Sequence, residues 1–276
     1  MKTRIITLLG AMGVALTTLA AVPATRLELP AGAHHPVLSP DGSRLLFSTD
    51  SHTGLSALDL DSGDITVLDE GASAGFQPVF STDGTTVYYR TAELRDGLLY
   101  RDVRSYSFKE GRSRRLAAPT RDAVDMASYG RANFAVADYR RLRVRIDGVE
   151  KQLNPLPDSH SYLWASLSTD NKRLLFTEPF TGVYVSDPDG NNPVQLLGKG
   201  DFACWAGEHT VIAVVTHDDG YVVTDSKLVA VDTLTGTVEA LTDADTIVGE
   251  ATAGADGTVV YTDIEGNMFI FNLNDR

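Results

Sequence analysis

Residues 36–49 read Pro36-Val37-Leu38-Ser39-Pro40-Asp41-Gly42-Ser43-Arg44-Leu45-Leu46-Phe47-Ser48-Thr49. Two short apolar runs, Val37-Leu38 and Leu45-Leu46-Phe47, flank the Pro40-Asp41-Gly42 corner. An Asp-Gly pair between apolar segments predicts a tight hairpin, because Gly accepts the positive φ that such a turn needs. The block then returns. Residues 77–91 read QPVFSTDGTTVYYRT, 164–178 read WASLSTDNKRLLFTE and 250–263 read EATAGADGTVVYTD. Two weaker copies, 125–138 (DMASYGRANFAVAD) and 202–216 (FACWAGEHTVIAVVT), keep the apolar runs but change the turn. From Asp41 to Asp256 the five steps average about 43 residues, the period of a four-stranded β-propeller blade. A β-sandwich has turns at similar local spacing but gives no reason for a self-similar block at this period.

Six copies predict an all-β, six-bladed β-propeller built from four-stranded antiparallel blades. The last copy supplies only three strands, at 250–254, 258–263 and 267–273. Residues 25–29, TRLEL, look like the outer strands that precede the other copies. This segment is expected to complete blade six and close the ring, removing the open sheet edges that invite aggregation. One propeller domain over 25–276 leaves no room for a second.

Residues 1–24 are different in kind. Lys2 and Arg4 precede an uncharged, mostly apolar stretch from residue 5 to 22, and small residues follow at Ala20, Ala21 and Ala24. That order predicts a cleavable signal peptide, cut after Ala21 or Ala24, and so an exported, periplasmic protein with no membrane insertion after cleavage. No Cys lies near the cut, so a lipid anchor is not expected. The net charge is -13; loss of Lys2 and Arg4 takes it to about -15, which argues against nucleic acid as a partner. The charge is uneven. Residues 90–145 hold 14 Lys/Arg against 7 Asp/Glu, whereas 201–276 hold 2 against 14. In a six-blade ring these stretches face each other across the disc, which suits an oriented docking surface. The single Cys204 sits in the apolar run Phe202-Ala203-Cys204-Trp205 and reads as small core filler.

At 183–197, VYVSDPDGNNPVQLL resembles the strand–turn–strand segment of the TolB-type propeller, and 36–49 and 78–91 resemble the WD40-like repeat of that family with its Ser-Pro-Asp-Gly core. The likeness spans the propeller; no stretch matches the α/β domain that precedes it in TolB. The resemblance implies a periplasmic protein-binding module. Related repeats occur in prolyl-oligopeptidase-type propellers and in oligogalacturonate lyases, so fold alone does not choose the role.

Catalytic and metal motifs are sparse. Asp187-Pro188-Asp189-Gly190-Asn191 begins like a calcium loop, but its twelfth position is Gly198 rather than an acid, so it reads as a turn. His34, His35, His52, His160, His209 and His217 form no H-x-H or HExxH spacing, and no metal or other cofactor is expected. There is no G-x-S-x-G nucleophile elbow. Aligned inner-strand starts place His35, Gln77, Val124 or Asp125, Trp164, Phe202 and Glu250 around the channel mouth. These side chains are the candidate recognition surface, with Asp125 the polar choice in blade three. The expected role is non-catalytic binding or scaffolding of a protein or peptide partner in the cell envelope by a chain that is monomeric on its own. Alternatives are a lyase-like enzyme acting on polysaccharide at the mouth, and a structural subunit of an envelope assembly. An exposed apolar patch on the mouth face favours docking; a patch on the side or bottom favours the structural role.

Overall fold

The computed structural model describes residues 22–138, 140–156, 161–243 and 245–275. Nearly all of the signal-peptide stretch, and His160, lie outside the described residues. Six antiparallel sheets follow one another along the chain. Blade one is His34–Leu38, Arg44–Ser48, Leu55–Asp59 and Ile65–Asp69; blade two is Val79–Phe80, Thr86–Arg95, Leu98–Ser107 and Arg112–Arg115. Blade four runs from Leu163–Leu167 to Val194–Leu197 and blade five from Asp201–Trp205 to Val238–Ala240. Blade six is Val248–Ala253, Thr258–Asp263 and Met268–Asn272, with Thr25–Arg26 as its fourth strand. The closing strand pairs Thr25 with Ile270 and Arg26 with Phe269. Leu27 N–H adds a bond to the Met268 carbonyl at 2.9 Å. The ring therefore shuts as the sequence predicts, over a shorter paired segment than 25–29.

The hairpin turns owe their shape to the acid that the motif carries. Asp41 Oδ1 accepts from Ser39 Oγ at 2.6 Å, Ser43 N–H at 3.2 Å and Ser43 Oγ at 2.9 Å. Asp83 does the same with Ser81 and Thr85, and Asp170 with Ser168 and the Lys172 N–H. The Ser168 hydroxyl and then the Lys172 N–H bring the Asp170 carboxyl down to about 2. Gly42 follows at φ 70, and a Cβ there would overlap the Asp256 carboxylate of blade six. Asp187 of the calcium-like stretch is also a turn former: its Oδ1 accepts the Asn191 N–H at 2.8 Å.

Blade three differs in its innermost layer. Three strands pair there, Phe134–Asp138, Arg141–Ile146 and Val149–Leu153, and a short helix, Ala127–Gly130, takes the innermost place. The repeat explains why. Where the other strong copies carry the turn acid, this copy carries Arg131. Arginine has no acceptor to gather the N–H groups of the turn. Gly130 lies against Tyr88, where a Cβ would be 2.9 Å from the ring.

Apolar clusters fill five of the six seams between blades. Leu46, Leu55, Phe80, Val87 and Tyr89 join blades one and two, and Leu142, Tyr162, Leu174 and Phe176 join three and four. Leu175, Val183, Val211 and Val229 join four and five, and Ile212, Leu228, Val259 and Tyr261 join five and six. Leu38, Leu45, Phe47, Val260 and Met268 join six and one, with Leu27 and Leu29 packed against them. Each fully buried large side chain contributes about 1.5–3 kcal/mol. Cys204 packs against the five–six seam, and burial pushes its thiol up to about 12, in keeping with a core filler. Among the described residues no such cluster joins blades two and three, and no helix is long and apolar enough to cross a membrane.

Closure by so few residues is testable. Leu27→Pro deletes the bond to Met268 and displaces a half-buried side chain. It is expected to cost roughly 2 kcal/mol and to lower the melting temperature. An unchanged melting temperature means that the ring does not depend on this strand.

Candidate functional site

In four blades the inner strand is bulged near its start. Register breaks fall between His34 and Val37, Leu163 and Ser166, Asp201 and Cys204, and Val248 and Ala251. At the first bulged residue His35, Trp164 and Phe202 sit at φ 57, 44 and 54, and Gln77 of blade two sits at φ 51. Non-glycine residues rarely adopt these values. A bulge re-aims its side chain, and here the same device recurs in four blades. The register corrects one alignment: Gly249, not Glu250, stands at the bulge position of blade six, and Glu250 is the next residue along.

The side chains form linked groups around one end of the ring. Glu250 Oε1 meets His35 Nδ1 at 2.8 Å, tying blade six to blade one. The His35 ring stacks on His52 at 3.9 Å between centroids, and His52 meets Phe76 edge-on at 5.0 Å. The Arg90 guanidinium lies 4.2 Å above the Phe76 ring, and its Nη1 donates to the Val124 carbonyl at 2.8 Å. Gln77, Arg90, Asp125, Arg131 and Trp164 then share a cavity of about 420 Å³. Trp164 meets Phe202 at 5.2 Å. All six residues singled out in the sequence thus lie along this rim. Sequence reading missed His52, Phe76, Arg90 and Arg131. For Arg131 a signal existed, the reversal of charge at the turn-acid position of the repeat.

Asp125 is fully engaged. Its Oδ2 pairs with Arg143, and its Oδ1 accepts the Ala127 N–H at 2.9 Å. His35 is engaged too: Nε2 faces the Asp50 carbonyl at 3.1 Å and Nδ1 faces Glu250. Both ring nitrogens thus face oxygen acceptors. Burial, and next the neighbouring His35, hold His52 below its ordinary value of 6.5. Among the described residues no three His, Cys, Asp or Glu side chains converge as metal ligands.

A larger hollow of about 700 Å³ lies between blades five and six at the opposite end of the disc, beside Asp232 and Asp256. These carboxylates already serve their own turns, Asp232 accepting the Leu234 and Thr235 N–H groups and Asp256 the Thr258 N–H. The hollow lacks the convergence seen at the mouth.

No family model and no curated protein sequence matches the chain. Solved structures do match. The β-propeller domain of Myceliophteria thermophila Cps50 (Swd1) superposes with a TM-score of 0.61 at 10% identity, covering 91% of this chain and 99% of that one. A protein assigned as TolB from Agrobacterium tumefaciens gives 0.55 at 17% identity, covering 87% and 88%. The WD40 propeller domain of Doa1 gives 0.55 at 10% identity, covering 91% and 97%. The chain has the fold of WD40 and TolB-like propellers.

The position of His52 carries a pH prediction. A histidine held below 6.5 in the fold charges first in the unfolded chain, so its contribution is complete above pH 6.5 and is lost as pH falls through the folded value. His52→Phe keeps a ring on His35 and cannot titrate. Its melting temperature is expected to fall less between pH 7.5 and 5.5 than that of the parent; identical slopes would remove His52 from the account.

Proposed function

We propose that this chain is an exported binding propeller that docks a protein or peptide segment on its mouth face. WD40 and TolB-like propellers as neighbours fit a protein-binding scaffold. The observation that carries the reading is where the exposed apolar side chains lie. Inner strands begin beside the ends of the second strands, as in the His34–Ser48 pair. The turns between second and third strands therefore surround the mouth. Those turns and hairpin tips present Leu94 at 70% exposure, Phe180 at 81%, Tyr221 at 96% and Ile264 at 68%, from blades two, four, five and six. These are the four most exposed large apolar side chains among the described residues, though Val67, Val149, Val194 and Leu234 are also exposed on outer strands or at the opposite end; apolar groups concentrated on one face suit an interaction surface.

Two hairpins frame that face. Thr86–Arg95 with Leu98–Ser107 extends from blade two, and Thr210–Asp218 with Val223–Asp232 extends from blade five, opposite in the ring. The first balances Arg95 and Arg101 near its tip with Glu93, which pairs with Arg95, and Asp96, while the second bears Asp218 and Asp219. A basic group on a partner would be drawn to the second hairpin.

Export rests on the sequence of residues 1–24, and contacts at the start of the described chain favour one cut. Val22 N–H donates to the Leu241 carbonyl at 3.2 Å, and Val22 and Ala24 lie against the five–six seam. Cleavage after Ala21 keeps these contacts; cleavage after Ala24 removes them. Intact-mass measurement of the periplasmic protein distinguishes the two.

Docking is tested by placing a photo-cross-linking amino acid at Phe180 on the mouth face and at Asn171 on the opposite end in the native host. Discrete adducts are expected from position 180 only. Trp164→Ala, which removes a central aromatic from the rim, is expected to weaken binding of the captured partner by about 2 kcal/mol or more, with the melting curve still cooperative. Equal adducts from both positions, or none, would sink the docking reading.

A further inference from the structure

Blades two and three meet without an apolar seam, and two arginines lie in that gap. Arg90 gives one hydrogen bond, to the Val124 carbonyl, and rests on Phe76. Arg131 gives one, from Nε to the Phe80 carbonyl at 3.3 Å. Among the described residues neither guanidinium has a carboxylate within ion-pair distance, although the chain carries 37 Asp and Glu. Asp125, the acid on the same cavity wall, is spent on Arg143 and on the Ala127 N–H. Arg131 reaches further than the mouth. It also lines a second cavity of about 390 Å³ at the opposite end of the channel, which shares Ala127, Ala135 and Ala165 with the first. It thus stands where the two cavities meet.

Burial pushes both arginines below their ordinary value; for Arg90 the nearby Arg101 adds to it and Asp125 partly opposes it, while for Arg131 burial is the sole cause and no charge offsets it. A cation taken out of water without a counter-charge is costly, and an anion that enters the cavity recovers that cost. The remaining N–H groups of a guanidinium match the two oxygens of a carboxylate. Val37, Val79, Met126, Val136 and Trp164 supply apolar wall around the charges, which suits a carboxylate carried on an apolar stem.

We propose that the channel is a carboxylate-binding site, with Arg90 and Arg131 as the charged contacts and Gln77 and Trp164 as walls. The carboxylate has two sources, a free small acid or the acidic group of a docked segment. In the second case the site deepens the docking reading above; in the first it stands without it.

The test uses the full mature chain and calorimetric titration at fixed ionic strength. The probes are 4-methylpentanoate against 4-methylpentanamide, and the tripeptide acetyl-Ser-Leu-Leu with a free C-terminus against its C-terminal amide. At least one acid is expected to bind about tenfold or more tightly than its amide, and to raise the melting temperature where the amide does not. Arg131→Gln is expected to abolish that preference and, with no ligand, to melt at or above the parent temperature, because it removes an uncompensated charge. Arg90→Gln provides the same test if Arg131→Gln fails to fold. Binding by 4-methylpentanoate alone assigns the site to a free acid; binding by the peptide alone assigns it to a docked segment. If neither acid is preferred over its amide, or if the arginine variants retain the preference, the proposal is overturned. Cross-linking at Phe180 judges docking independently of either result.

Discussion

A ring of sheets has apolar faces on every blade, and all of them are covered only if the last blade meets the first. Here that constraint rests on two paired residues, Thr25 and Arg26, and on the Leu27 N–H that follows them. The contact joins opposite ends of the described chain, so chain entropy opposes it until most blades are in place. The leucines behind it offset that cost, since Leu27 and Leu29 pack against Leu38, Leu45 and Met268 at the six–one seam. The same seam carries the His35–Glu250 contact at its mouth end. The six–one part of the rim is therefore a consequence of closure, whereas the Trp164–Phe202 contact joins consecutive blades and does not need it.

Five seams closed by apolar side chains leave the sixth free to be something else. At the junction of blades two and three the turn acid of the repeat is replaced by Arg131, the inner strand gives way to Ala127–Gly130, and Gly130 moves against Tyr88. One change of residue type links these features. An acid in the turn gathers N–H groups and keeps the hairpin; an arginine offers only donors. Such a junction is poor glue. Arg143 with Asp125, and Arg145 donating to the carbonyls of Ser128, Arg131 and Ala132, take over the local support. Buried polar networks of this kind contribute little net stability compared with hydrophobic contacts of the same volume. The molecule tolerates one because the other five seams hold the disc.

Most of the fold was legible because its determinants are local and repeated. The Asp-Gly turn, the apolar pairs on either side and the 43-residue step all survive in one dimension. The closing strand was legible from what the last copy lacked. The rim was legible only as positions. Nothing in His35, Gln77, Trp164 or Phe202 announces a left-handed backbone, because that conformation usually goes with Gly or Asn. The bulge then displaced Glu250 by one place, since counting from the turn assumes an unbroken register. Stacking of His52 and the meeting of Arg90 with Phe76 join residues 14 or more apart. In sequence they are a lone histidine in a loop and one cation in a basic block. Charge counting read that block as half of an oriented docking surface and gave no hint that two of its members turn inward.

Four left-handed residues store backbone strain at the mouth. Each costs on the order of 1–3 kcal/mol relative to a relaxed backbone, and none needs that conformation to carry its blade. Blade six places Gly249 at the same bulge and builds an equally regular sheet behind it. The strain is therefore separable from the fold. What it achieves is direction, because a bulged residue leaves the alternation of the strand and points along the rim. Trp164 gains Phe202 and the cavity, His35 gains Glu250 and His52, and Gln77 gains a place on the cavity wall. These contacts recover part of the cost, but they leave large aromatic and amide surface facing an open hollow rather than a core. Glycine would carry a left-handed backbone at these four positions with less strain. The strain holds these side chains in fixed directions at the rim, and a preorganised rim is what the docking proposal draws on.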